Sequence, residues 1–278
     1  MRLFAPIWLV AALFSSVLWA EPVQLISWNI RMDTQADKEL AWPHRALRVT
    51  GWLQQQQPDV LGLQEVLHHQ LEQVKQALPG YAAVGVGRDD GKQGGEYSPV
   101  LYKQSRFELL DSGTFWLNPD NSVGKAGWDA ALPRICSWVL LQDKHNQQQW
   151  RVLNLHLDHL GAEARRQSVQ LVATKLAAWP QGAVAVVMGD FNPSGDDALL
   201  QVMQKALPQY QDVLALTPST GPAYSYLDWY DKPEQGKRLD FMLVPKTRLS
   251  VQKAQLVADD LHNRRSDHLA LQAWLQIQ

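Results

Sequence analysis

Ala185-Val186-Val187-Met188-Gly189-Asp190-Phe191-Asn192 is the stretch on which the reading of this chain turns. An apolar run of strand length ends in a glycine, then in a carboxylate and an amide that can bind a divalent metal or steer a proton. The pattern recurs. Leu25-Ile26-Ser27-Trp28 runs into Asn29, Val60-Leu61-Gly62-Leu63-Gln64 into Glu65, and Val152-Leu153-Asn154-Leu155 into His156. At Asp240 and at Asp267-His268 the apolar stretch follows the polar residue instead. Burying one carboxylate is costly unless it is paired or metal-bound, so a chain that repeats the arrangement needs a shared reason. Convergence of these groups at one edge of a sheet, as a single hydrolytic site, supplies it.

Outward from that stretch, residues 23–29 read as a strand, and Trp42-Pro43-His44-Arg45 opens a helix with Ala46, Leu47, Val49, Trp52 and Leu53 at helical spacing. A strand at 59–65 and a helix at 67–78, ended by Pro79-Gly80, follow. From 81 to 117 the pattern is one of successive strands, and 118–133 is a loop long enough to be functional. Strands at 134–142 and 149–156 precede a helix at 161–178, a strand at 183–189 and a short helix at 196–206. A long loop at 217–237 leads to strands at 238–244, 249–257 and 268–275. Strands interspersed with helices predict two mixed β-sheets packed face to face with helices outside, a four-layer α/β/β/α sandwich. No linker or repeat divides the chain, so 21–278 is read as one domain.

Residues 1–20 read as a secretory signal peptide: Arg2, a mostly apolar stretch from Leu3 to Leu18, and Ala20 at a cleavage point before Glu21-Pro22. The expectation is export to the periplasm or medium, with an uncleaved membrane anchor as the rival reading. No later segment is apolar for long enough to span a membrane. The whole chain has a formal charge of −2, and loss of Arg2 with the leader makes it −3, which is not the field of a protein built to hold long nucleic acid. Cys136 is the only cysteine, so the core rather than an internal disulfide must stabilise the fold.

Glu65 and Asp190 are hard oxygen ligands of the kind Mg²⁺, Mn²⁺ or Ca²⁺ accept. Each alone could equally be a helix cap, and Asp190-Phe191-Asn192-Pro193 an ordinary turn. His156 and His268 have the pKa range for proton exchange near neutrality, and each needs an acidic partner to fix its tautomer. Asp240 and Glu96 are the candidates. The other histidines read as surface or helix-end residues, His159 least clearly so. Arg134, directly after the long loop, could clamp phosphate oxygens or form a surface ion pair.

These residues, in this order, resemble the endonuclease/exonuclease/phosphatase superfamily of divalent-metal phosphoesterases. The resemblance spans 23–275 and is carried by Trp28-Asn29, Gln64-Glu65, Asn154-Leu155-His156, Gly189-Asp190-Phe191-Asn192, Leu239-Asp240 and Ser266-Asp267-His268. It implies Asn29, Glu65 and Asp267 as metal-site residues, with Asp190 and Asn192 holding the metal and orienting water or phosphate. It implies Asp240 with His268 on the base side and His156 on the acid side. Gly95-Glu96-Tyr97-Ser98-Pro99-Val100-Leu101-Tyr102 looks like a strand of the deoxyribonuclease branch. On that match Glu96 partners His156, Tyr102 lies near phosphate, and Arg134 is the phosphate-binding arginine. Asn154 stands where many members have threonine, and is assigned to the substrate side. Asp158-His159 adds an acid and a histidine, which leaves room for another metal arrangement. The cofactor implied is Mg²⁺, with Mn²⁺ or Ca²⁺ as alternatives. The expected activity is hydrolysis of a small or single-stranded phosphoester by in-line attack of water, in a monomer, with extended duplex nucleic acid not expected as a partner. A secreted endonuclease acting on DNA or RNA is the alternative, and a catalytically silent binding protein the reading from another class.

Overall fold

In the computed structural model, residues 21–193, 197–218, 221–229, 232–260 and 263–278 are described. The predicted signal peptide at 1–20 and His262 lie outside them. The first half of the chain gives β1 (Val23–Asn29), α1 (Trp42–Gln56), β2 (Val60–Gln64), α2 (His68–Ala77), β3 (Tyr81–Val84), β4 (Val100–Lys103) and β5 (Phe107–Trp116). The centre gives β6 (Ile135–Asp143), β7 (Gln149–His156), α3 (Ala162–Ala178), β8 (Val184–Asp190) and α4 (Asp197–Ala206). The last third gives β9 (Tyr210–Asp212), β10 (Asp240–Pro245), β11 (Leu249–Leu256) and β12 (Leu271–Ile277).

Two six-stranded sheets result, in the orders β11-β12-β1-β2-β4-β3 and β5-β6-β7-β8-β10-β9. Each has one parallel pair, β1 with β2 and β7 with β8, flanked by antiparallel neighbours. Strand alternation sorts the side chains into layers. Leu25, Val60, Val152, Val186, Met188, Met242 and Leu271 fill the space between the sheets. Ile26, Trp28, Leu61 and Leu63 face outward onto Val49, Leu53, Leu71 and Val74 of α1 and α2. Leu153, Leu155, Val187 and Phe241 face outward onto Val169, Val172, Leu199 and Met203 of α3 and α4. The four-layer α/β/β/α sandwich expected from the sequence is the fold observed.

The inner layer changes character along its length. At one end it is aliphatic; toward the C-terminal ends of β1, β2, β7 and β8 it passes through Ser27, Gln64 and Asn154 to Asn29, Glu65, His156 and Asp190, all of them buried or nearly so. Side chains at the carboxyl ends of parallel strands face a crevice the sheet cannot close itself.

Three local readings change. The strand pattern over 81–117 is broken by an irregular segment at 85–99. β9 is a short addition that the loop-like composition hid. The last strand begins at Leu271 rather than 268, because 267–269 pair with the 225–227 segment: the amide of Leu227 donates to the Asp267 carbonyl (3.1 Å) and that of Leu269 to the Ser225 carbonyl (2.6 Å).

Candidate active site

Register alone sets Asp190 at the centre of the second sheet's polar edge. It pairs with His156 across β7/β8 and with Asp240 across β8/β10. The residue before it must be glycine: Gly189 has φ +143°, and a Cβ there would meet the Leu155 carbonyl oxygen at 1.9 Å. Past the strand, Asn192 adopts φ +47° and returns its amide to Asp190 Oδ1 at 2.9 Å, while its side chain donates to the Leu157 carbonyl at 3.0 Å.

The first sheet supplies the facing groups. Glu65 directly follows β2, in the left-handed region at φ +57°, which is costly for a glutamate and characteristic of positions where geometry serves a site. Asn29 Nδ2 donates to Glu65 Oε1 (3.0 Å) and to Asp190 Oδ2 (3.1 Å), so one amide ties together carboxylates from both sheets. Arg31 stands 3.8 Å from Glu65 and 3.9 Å from Asp267, within electrostatic reach of both, but its hydrogen bonds go to Asp37 at 3.0 Å. Ser266 Oγ donates to the Asn29 carbonyl at 2.7 Å, which seats Asp267 beside β1. From below, Arg45 of α1 is fully buried and donates to the carbonyls of Leu40 (2.9 Å), Arg31 (2.6 Å), Arg265 (3.0 Å) and Ile30. It joins the segments that follow Asn29 and precede Asp267.

His268 and Asp240 form a hydrogen-bonded pair, Nδ1 to Oδ2 at 2.8 Å. Burial opposes the charge of His268, yet Asp240, by charge and hydrogen bond, with Asp190 and Asp267 beyond, lifts it to about 10. Burial and then the Asp240 charge lift Asp190 to about 7, and burial, with the nearby Glu65 charge, lifts Asp267 to about 6. Glu65 goes the other way: although buried, it is held below the usual carboxylate range by Asn29, His268 and Arg31.

His156 lies across Asp190 from that pair, Nε2 to Oδ2 at 3.6 Å. Burial, Arg134 and Arg88 push its pKa well below the ordinary value, so it is neutral in the protein alone. Glu96 does come to it, but at 3.8 Å from Nδ1, beyond hydrogen-bonding distance. Both Glu96 oxygens are taken by Arg88, at 2.8 and 2.7 Å. Glu96 thus stands beside His156, as expected, within ion-pair distance, while its hydrogen bonds go to Arg88.

Arg134 borders the same site. Its Nε donates to Asp158 Oδ2 (3.2 Å) and Nη2 to His159 Nδ1 (3.0 Å), while Nη1 is buried with no hydrogen-bond partner among the described residues. Asp158 also accepts the amides of Ala131 (3.2 Å), Leu160 (3.0 Å) and Gly161 (2.7 Å). Burial opposes its charge, but the Gly161 and Ala131 amides and Arg134 hold it down at about 2. A carboxylate so engaged holds the arginine rather than a second metal.

Two predicted site residues are elsewhere. Tyr102 pairs with Val60, at the start of β2 and the opposite end from Glu65, and packs in the inter-sheet core. β4 runs antiparallel to β2, so its early residues, not its late ones, approach the site. Asn154 is fully buried beneath the site: it accepts from Gln64 Nε2 (2.6 Å) and donates to the carbonyls of Leu63 (2.7 Å) and Pro99 (2.9 Å). It ties the sheets together and is walled off from substrate. The sequence reading missed Arg31, Arg88, Tyr226 and Lys237. Arg31, two residues past Asn29, was the one of these with a positional signal.

A cavity of about 390 Å³ joins the groups: Glu65, Asp190, Asp267, His156, His268 and Arg134 line it, together with His159, Tyr226, Lys237 and the apolar Met32, Leu132 and Leu239. A larger groove of about 560 Å³ lies against α4 and the outer face of the second sheet, lined mainly by apolar residues such as Leu200, Met203 and Phe241, and none of these catalytic candidates faces it.

The cavity edge fits a hard divalent cation. The buried carboxylates Asp190, Asp240 and Asp267 and the nearly buried Glu65 are balanced locally by His268 and by an Arg31 that hydrogen-bonds none of them, and among the described residues Asp240 Oδ1 has no hydrogen-bond partner. Among the described residues, Asp190, Asp240 and His268 bring ligand atoms within 4.8 Å of one another. Asp240 Oδ2 is taken by His268 and Asp240 does not line the cavity, whereas Glu65, Asp190 and Asp267 do, which makes these three the oxygen donors open to it.

Residues 26–268 match the model of the Endonuclease/Exonuclease/phosphatase family. An endonuclease/exonuclease/phosphatase of known structure from Bacteroides vulgatus is 35% identical, with a TM-score of 0.87 over 92% of this chain and 99% of that one. The mannosyl-6-phosphatase of Bacteroides thetaiotaomicron is 29% identical, with a TM-score of 0.81 over 91% of this chain and 99% of that one. A protein of Acanthamoeba polyphaga mimivirus is 27% identical over 172 residues, a match spanning 49% of this chain and a quarter (25%) of that longer protein.

Proposed function

Since the chain belongs to the Endonuclease/Exonuclease/phosphatase family of metal-dependent hydrolases, we propose that it hydrolyses a small phosphate ester by in-line attack of water. The observation that carries this reading is a cavity of about 390 Å³ on which His156, His268, Glu65, Asp190, Asp267 and Arg134 converge. That volume suits one small ester. A duplex would need a basic stripe to follow several phosphates, and a chain of net charge −2 has no such surplus. The full-length similarity to a mannosyl-6-phosphatase supports the small-ester reading.

In this mechanism Glu65, Asp190 and Asp267, with Asn29 spacing the first two, hold a divalent cation, Mg²⁺ or Mn²⁺. Bound there, the cation supplies Lewis-acid polarisation of the phosphoryl oxygen. Arg134 holds phosphate oxygens, Nη1, which has no hydrogen-bond partner among the described residues, being the donor it has to spare. His268, oriented by Asp240, takes the proton of the attacking water; it does so from its neutral form, which added positive charge among Glu65, Asp190 and Asp267 favours. His156 returns a proton to the leaving oxygen, its affinity for that proton raised by the negative phosphate beside it. Asn192 and Asp190 keep the water and phosphate in line.

The test is a comparison of initial rates with Mg²⁺ on a sugar phosphate, 4-nitrophenyl phosphate, bis(4-nitrophenyl) phosphate, a single-stranded oligonucleotide and plasmid DNA at physiological salt. Faster turnover of the small esters is expected. Plasmid nicking faster than hydrolysis of every small ester would replace this reading with that of a nuclease. We also propose export directed by residues 1–20; a mature N-terminus near Glu21 in the native protein is expected by mass spectrometry, and intact Met1 in a cytoplasmic fraction would refute it. Among the described residues no helix is long and apolar enough to cross a membrane.

A further inference from the structure

We propose that His159 reads a hydroxyl group on the leaving alcohol, so that the preferred substrate is the phosphate ester of a polyhydroxylated alcohol such as a sugar. This rests on the small-ester reading above. The starting point is a tautomer fixed by geometry. Arg134 Nη2 lies 3.0 Å from His159 Nδ1, and a guanidinium can only donate, so Nδ1 accepts. The neutral ring then carries its hydrogen on Nε2. Burial and the Arg134 charge also disfavour the charged ring.

The ring borders the cavity and its side chain is 48% exposed, so it stands at the mouth rather than in the core. Its place is set by a chain of hydrogen bonds, because Arg134 is itself held by Asp158, which accepts three backbone amides. His159 is three residues beyond His156 at the end of β7, on the side opposite the Asp240–His268 pair, and Arg134 acts electrostatically on both histidines. With water activated at His268, the leaving alcohol departs on this side. What it meets there is a proton donor (His156), a phosphate clamp (Arg134), a neutral N–H donor (His159) and the apolar side chain of Leu132, two residues before Arg134. A ring with hydroxyls at its edge and an apolar face satisfies all four. A bare aryl alcohol offers His159 Nε2 no acceptor, and a site built to donate a hydrogen bond discriminates against partners that lack one.

Two substitutions separate the two ring nitrogens. In His159→Asn, Oδ1 replaces Nδ1 as the acceptor for Arg134 and the outer donor is lost. In His159→Gln, an N–H remains at the reach of Nε2. The readout is the ratio of kcat/KM for a sugar phosphate to kcat/KM for 4-nitrophenyl phosphate, in which losses of folding or of phosphate grip cancel. The ratio is expected to fall roughly tenfold or more in His159→Asn and to return toward the wild-type value in His159→Gln. An unchanged ratio in His159→Asn would overturn the inference and leave His159 a brace for Arg134. If the wild-type protein hydrolyses neither ester, the small-ester reading falls first and this inference with it, an outcome distinct from an unchanged ratio.

Discussion

Asn154→Ala separates two roles that sequence and structure give the same residue. If Asn154 binds substrate, its loss raises KM. In the structure it is fully buried and makes three hydrogen bonds: one from Gln64 Nε2, and one each to the carbonyls of Leu63 and Pro99. Gln64 keeps only longer contacts to Ser27 Oγ (3.2 Å) and the Gly62 carbonyl (3.4 Å), and the Pro99 carbonyl still accepts the Leu63 amide at 3.1 Å. At about 1 kcal/mol net for each lost bond, and more for a partner left dry, the substitution costs about 3 kcal/mol. That is a large share of the roughly 5–15 kcal/mol that holds a domain together. For a domain of this size it lowers Tm by about 6–10 °C. Urea denaturation and a thermal melt measure the cost, and KM for a small ester is expected to stay within about twofold of wild type at a temperature where the variant is folded. A variant as stable as wild type with a raised KM would refute the structural assignment and restore the substrate role.

His156→Ala and His268→Ala are each expected to lower kcat about 100-fold or more with circular dichroism unchanged; small losses in both folded proteins would mean that neither histidine moves a proton in the rate-limiting step. Metal binding should strengthen with pH. Asp190 at about 7 and Asp267 at about 6 hold protons below those values that a cation must displace, so Mn²⁺ affinity measured by calorimetry should rise between pH 5.5 and pH 8, and a flat profile would exclude these two carboxylates as ligands.

The sequence made the framework of the candidate site legible because its polar groups sit at the ends of period-two apolar runs. A strand end is readable from local pattern, and β1, β2, β7 and β8 each deliver their last or next residue to one edge, so Asn29, Glu65, His156 and Asp190 could be found without a partner in view. Asp240 and His268 needed the pairing of distant segments, yet each adjoins an apolar run. Tyr102 was misplaced for a directional reason: alternation gave its face correctly, but the antiparallel pairing of β4 with β2 carries it toward Val60 and away from Glu65. Arg88 and Arg45 were not legible at all. Arg45 lies on a helix and finds one of its acceptors, the Arg265 carbonyl, 220 residues away, and nothing in local periodicity distinguishes such an arginine from a solvated one. Tyr226 and Lys237 come from a loop whose composition predicts a turn and says nothing about what it faces.

Phosphate release from a small ester by protein first stripped with EDTA and then titrated with Mg²⁺ tests most directly whether the carboxylate edge works through a bound cation. No turnover is expected in the chelator, with recovery on Mg²⁺ or Mn²⁺ in the wild type and no recovery in a folded Glu65→Ala variant. Full turnover in EDTA would contradict the assignment of Glu65, Asp190 and Asp267 as ligands and, with it, the metal-dependent mechanism.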